Sequence, residues 1–177
     1  PVAASHASSD SSALPYDPDV IAAIATPVGE GGIGMIRLSG SGALDVADKI
    51  FESPKKLPPS RQAAYTAQFG YVKNPQRSTA RIDEAVLLVM RAPKSYTCED
   101  TVEISCHGGR AATQQVLQAC LAAGARCAEP GEFTKRAFLN GRIDLIQAET
   151  VLDVIRSKTE KSLEAAQKQL QGDLSVK

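Results

Sequence analysis

Three residues have the type and setting to hold a polar ligand: Arg37, Glu103 and Arg142. Glu103 lies in Thr101 to His107, where residues alternate strictly. Val102, Ile104 and Cys106 share one face of a strand, and Glu103, Ser105 and His107 share the other. That polar face is either the solvated side of an antiparallel sheet or the lining of a pocket. In a pocket, a carboxylate accepts two parallel hydrogen bonds from an amidine-like edge, as it does from arginine. Pterins and guanines present such an edge. His107 alone fits a turn or supporting residue better than a ligand or base. Arg37 interrupts the apolar run Met35-Ile36-Arg37-Leu38, so it is either an edge residue or one that meets an anion. Arg142 follows the helix break Asn140-Gly141 and can reach a carboxylate from that corner, or it is a surface charge.

Other patterns promise chemistry and fail. Gly29-Glu30-Gly31-Gly32-Ile33-Gly34 matches the dinucleotide fingerprint, with Asp48 or Glu52 further on. Phosphate binding needs a helix N-terminus after the glycines. Ile33 to Leu38 reads instead as a strand, so the glycines form a hairpin-like turn or a loop that lets a ligand approach the backbone. There is no Gly-Lys dipeptide, hence no phosphate-binding P-loop, and neither G-x-S-x-G nor H-E-x-x-H occurs. Cys98, Cys106, Cys120 and Cys127 include no CxxC pair, so they read as small apolar residues in a reducing compartment, without a metal site.

The elements that must position these residues follow from periodicity and turn chemistry. Val20 to Ala25 and Ile33 to Leu38 are strands, followed by a helix to about Phe51. Pro54, Pro58 and Pro59 mark a connector. Ala64 to Val72, Glu84 to Arg91 and Thr101 to Cys106 are further strands, and 111–122 is a helix that Gly124 closes. Ala125 to Ala128 is one more short strand. From Glu132 no proline follows and helix formers dominate, which predicts helices near 132–139, 145–157 and 159–171. Residues 1–18 are Ser/Ala-rich without Lys or Arg and read as a disordered leader or the remnant of an organelle transit peptide. The 177 residues are 43% apolar, with twenty basic residues against twenty acidic, and contain no apolar run long enough for a membrane helix. Zero net charge argues against nucleic-acid binding by bulk electrostatics. The fold class is α+β: a folded unit over 19–131, then the first helices of an all-α segment over 132–177.

Three longer stretches are more specific. They are Ile24-Ala25-Thr26-Pro27 through Gly31 to Gly40, then Ser95 to Glu103 through His107-Gly108-Gly109, and then Pro130 to Leu145. In this order and spacing the chain closely resembles the N-terminal part of the MnmE (TrmE) family of tRNA modification GTPases, from about residue 19 to its end. The resemblance implies a domain that binds a tetrahydrofolate derivative (5-formyl- or 5,10-methylene-tetrahydrofolate), is similar in fold to the glycine-cleavage aminomethyltransferase domain, and mediates homodimerisation. It implies a helical domain interrupted by a G domain, which would use GTP, Mg and K. It further implies an FAD-containing partner, MnmG, with which such proteins modify C5 of the wobble uridine of tRNA, and no membrane association. The family's folate-contacting residues fall on Arg37, Glu103 and Arg142.

The 177 residues contain no G domain and no terminal cysteine motif, so this span is expected not to hydrolyse GTP. The helices over 145–171, without most of their packing partners, are expected to fray or to pack across a dimer. Two rivals remain: a folate-dependent transferase of the aminomethyltransferase type, and a folate-free dimerisation module. The expected location is intracellular, in the cytoplasm or an organelle.

Overall fold

The computed structural model describes residues 19–27, 29–76 and 80–171. The expected disordered leader, 1–18, lies outside the described residues. The strands are β1 (Ile21–Ile24), β2 (Gly31–Ser39), β3 (Phe51–Glu52), β4 (Thr66–Lys73), β5 (Arg81–Met90), β6 (Thr101–Gly108) and β7 (Arg126–Cys127). The helices are α1 (Ala43–Ile50), α2 (Arg110–Ala122), α3 (Glu132–Leu139), α4 (Leu145–Arg156) and α5 (Glu160–Leu170). The strands form one sheet in the order β3-β4-β5-β6-β2-β1-β7. Neighbours are antiparallel except β1 and β7, which run parallel.

One face of the sheet is the core. Ile36 and Leu38 of β2, Leu87 and Val89 of β5, and Val102 and Ile104 of β6 are fully buried there. The amphipathic helices α1 and α2 cover them with Val46, Ile50, Val116 and Cys120. Each such aliphatic side chain contributes roughly 1.5–3 kcal/mol on burial. The clean alternation of β6 is what puts Val102, Ile104 and Cys106 into this core and turns Glu103, Ser105 and His107 to the other side.

The glycine-rich segment enters a strand, not a helix: Gly31 begins β2, and β1 and β2 form an antiparallel hairpin. α2 closes as expected, with Gly124 (φ 116°) beyond its last turn. The sequence pattern did not show β3, or the single 3-10 turn at Pro59–Arg61, because two or three residues carry no periodicity. The last two helices pack against each other. Both begin with capping boxes, Asp144 with Gln147 in α4 and Thr159 with Ser162 in α5.

Candidate ligand cleft

The second face of the sheet carries the polar residues. Arg37 and Glu103 are direct cross-strand partners in β2 and β6. Arg37 donates to Glu103 Oε1 from both Nε (2.9 Å) and Nη2 (2.7 Å). β2 lies inside the sheet between β6 and β1, so Arg37 is not an edge residue; the anion it meets is Glu103. Both bonds fall on one carboxylate oxygen, and Oε2 makes no hydrogen bond among the described residues.

The segment 91–100 and the C-terminal helices stand over this face and border an open cleft of about 1360 Å³. Arg37, Glu103 and Arg142 all line it, together with Tyr96 of the 91–100 segment and Phe133 of α3. Val151 and Ile155 of α4 supply an apolar wall. This exceeds the range of roughly 300–1,000 Å³ typical of small-molecule pockets.

Arg142 reaches the cleft because of how α3 ends. Gly141 takes φ 72°, a left-handed conformation that glycine adopts without a Cβ penalty. The Gly141 N–H donates to Phe138 O (3.0 Å) and the Arg142 N–H to Ala137 O (2.9 Å), the two bonds of a Schellman motif. The chain therefore doubles back, and Arg142 Nη1 donates to Ser95 O at 3.1 Å.

Two aromatic rings organise the cations. The Arg37 guanidinium carbon lies 5.9 Å from the centroid of Tyr96 and 5.7 Å from that of Phe133. The Arg142 guanidinium is 5.0 Å from the Tyr96 ring. Cation–π attraction at such distances contributes roughly 0.5–2 kcal/mol per contact, more where water is excluded. Neither ring was singled out from sequence. Tyr96 and Phe133 sit inside the second and third long stretches, and single aromatics in loops and short helices give no periodic signal.

A second group that sequence reading missed stands behind the cleft wall. Arg136 of α3 is fully buried. Its Nη2 donates to Asp19 Oδ1 (2.7 Å) and Glu132 Oε1 (3.1 Å), and its Nη1 to Glu99 Oε2 (3.1 Å) and Asp19 O (3.0 Å). Burial works against the charge, but these bonds to Glu99, Asp19 and Glu132 outweigh it and raise its pKa. Glu132 is held by Arg126 as well, at 2.5 and 2.8 Å. The Arg126 bonds outweigh burial and hold the Glu132 carboxyl down at about 2. The spacing of Glu132 and Arg136, one helical turn apart, was the available signal.

His107 belongs elsewhere. It is 68% exposed, and its Nδ1 lies 2.6 Å from Asp83 Oδ1. The hydrogen bond to Asp83 raises its pKa. The two sequence alternatives for the polar face thus apply to different ends of one strand: a lined cleft at Glu103, and a solvated surface at His107. No group of His, Cys, Asp and Glu able to hold a metal occurs among the described residues, and none of their helices is long and apolar enough to cross a membrane.

Comparison with known proteins places this geometry in a wider context. Residues 20–142 match the family model described as the GTP-binding protein TrmE N-terminus. That interval contains Arg37, Glu103 and Arg142. The chain is 55% identical over 157 residues to the tRNA modification GTPase MnmE of Levilactobacillus brevis, covering 89% of this chain and 33% of that protein. It is 56% identical over 157 residues to that of Lactiplantibacillus plantarum, with the same coverage. To that of Carboxydothermus hydrogenoformans it is 54% identical over 159 residues, covering 90% of this chain and 34% of that protein. The chain spans about a third of the length of the curated relatives it matches.

Proposed function

Because the chain belongs to the family of TrmE N-termini, we propose that it is the N-terminal part of a tRNA-modifying GTPase, and that its cleft binds a tetrahydrofolate derivative. The observation that carries this is the convergence of Arg37, Glu103 and Arg142, from β2, β6 and the turn after α3, on one cleft. Its donor set suits a folate. Glu103 offers a carboxylate to an amidine edge, the rings of Tyr96 and Phe133 offer stacking surfaces, and the two arginines face carbonyl and carboxylate oxygens. Bound there, the folate would supply a one-carbon unit. The chain's own residues orient it, and the apolar wall from α4 flanks it on one side.

The rest of the assignment follows from the family. Residues 19–131 would form the folate-binding unit, with a fold like that of the aminomethyltransferase domain, and 132–177 the start of a helical domain. Homodimerisation is supported by apolar side chains on the face that carries Arg37 and Glu103, among them Ile33 (70% exposed), Phe69 and Val86. With an FAD-containing MnmG and tRNA, the whole protein would modify C5 of the wobble uridine. GTP, Mg and K would be used by a G domain outside these 177 residues.

One observation favours a second reading. Glu103 is already engaged by Arg37, as it would be in a dimerisation module that takes no folate. Calorimetric titration with 5-formyltetrahydrofolate, with GTP as control, separates the two. The folate reading expects binding to folate alone, and at least a tenfold loss in Glu103→Gln, about 1.4 kcal/mol. No folate binding by a dimeric wild-type chain supports the second reading. Unchanged binding in Glu103→Gln would put the ligand elsewhere.

A further inference from the structure

The wall of the cleft has to be held in place. Tyr96 and Phe133 come from two separate pieces, the 91–100 segment and α3, and Arg37 comes from a third, β2. Short direct ties exist between them: Tyr96 Oη lies 3.0 Å from Thr134 Oγ1, and Asn140 Nδ2 donates to Thr97 O at 2.6 Å. The strongest tie is deeper. Arg136 is buried in α3 and does not line the cleft. Its guanidinium binds Glu99 from the 91–100 segment, Asp19 just before β1, and Glu132 in its own helix. Glu99 Oε2 also accepts from Ser39 Oγ (2.7 Å) at the end of β2, two residues from Arg37. One planar cation thus fastens all three pieces. Arginine suits this role because its fork presents several fixed donors at once, whereas lysine offers a single point charge.

We propose that Arg136 is the positioning residue of the cleft: by clamping Glu99, Asp19 and Glu132 together it fixes where Tyr96 and Phe133 stand beside Arg37, and so sets ligand affinity without touching the ligand. This rests on the folate reading for the identity of the ligand, but not for the geometry. A site loosened by about an ångström loses affinity even when every contacting residue is intact. The clamp gathers three carboxylates around two guanidinium groups, Arg126 and Arg136, so removing Arg136 outright would take the cation from half-buried Glu99 and leave Asp19 and Glu132 with Arg126 alone. Milder variants are therefore the right probes.

The test uses the 177-residue chain with Arg136→Lys, Glu99→Gln and, as control, Ile50→Val, a fully buried residue on the opposite face of the sheet. Hydrogen exchange needs no ligand. Arg136→Lys should accelerate exchange in 93–100 and in α3 together, and Glu99→Gln in 93–100, with β4 and β5 unchanged in both. Titration with 5-formyltetrahydrofolate should then weaken by about tenfold in Arg136→Lys and by less in Glu99→Gln, and by under about twofold in Ile50→Val. Two results would overturn the proposal: unchanged exchange in those segments, or affinity that tracks thermal stability equally in all three variants. If the wild type itself binds no folate, the ligand reading fails, and the exchange pattern still decides whether Arg136 sets the wall.

Discussion

Replacing Glu132 with Gln removes one buried carboxylate held by two arginines. Glu132 is 4% exposed and accepts from Arg126, from Arg136 and, at 2.7 Å, from the Glu129 N–H. Its pKa falls from 4.5 to about 2. A depressed carboxylate stabilises the folded state fully above the unfolded pKa, and that stabilisation is lost as pH falls through the folded one. A shift of this size is worth about 3 kcal/mol, and somewhat nearer 2 because Arg126 is 44% exposed and partly screened. Glu132→Gln should therefore lower the urea unfolding free energy by about 2–3 kcal/mol at pH 7. At pH 3.5, about one unit below the unfolded pKa, the difference between wild type and variant should shrink by about 1 kcal/mol. The assay is urea denaturation of both proteins across pH 7 to 3.5, followed by circular dichroism. A difference that stays constant over this range would refute the reasoning, because the penalty would then come from packing and not from the charge.

Further predictions concern other parts of the molecule. A Cβ on Gly108 would lie 2.4 Å from Gly31 O, a backbone atom that cannot swing away. Gly108→Ala should cost about 1–3 kcal/mol in urea unfolding, and a neutral result would show that β2 and β6 can part at that point. His107 should titrate above 6.5 by NMR because of Asp83, and return toward 6.5 in Asp83→Asn. The stabilisation from that pair is present below pH 6.5 and fades as pH rises through the raised value. Burial pushes the Cys106 and Cys120 thiols up to about 11 and about 12. A disulfide reagent at pH 7.5 should label exposed Cys127 readily and those two only on unfolding, and equal labelling of all four would contradict their burial.

The sequence by itself determined the elements long enough to show a period. The alternation of Thr101 to His107 fixed which side of β6 faces the core, and the same alternation turned Glu103 away from it. Asn140-Gly141 determined how α3 stops, since a glycine there closes a Schellman motif from purely local bonds, and with it the direction in which Arg142 leaves. The continuation of the glycine-rich loop as a strand was equally legible, because Ile33 to Leu38 carries a strand's apolar run where a phosphate site needs a helix. Only the tertiary structure decided the partners. Arg37 and Glu103 are 66 residues apart in sequence, and it is the register of β2 against β6 that sets them opposite each other. Arg136 binds Asp19 across 117 residues and Glu99 across 37. No local pattern encodes these pairings. A charged residue reads the same in sequence whether it ends in water or in a buried clamp, and the difference comes from strand order and helix docking. Those depend on the summed burial of the whole core and not on any single segment.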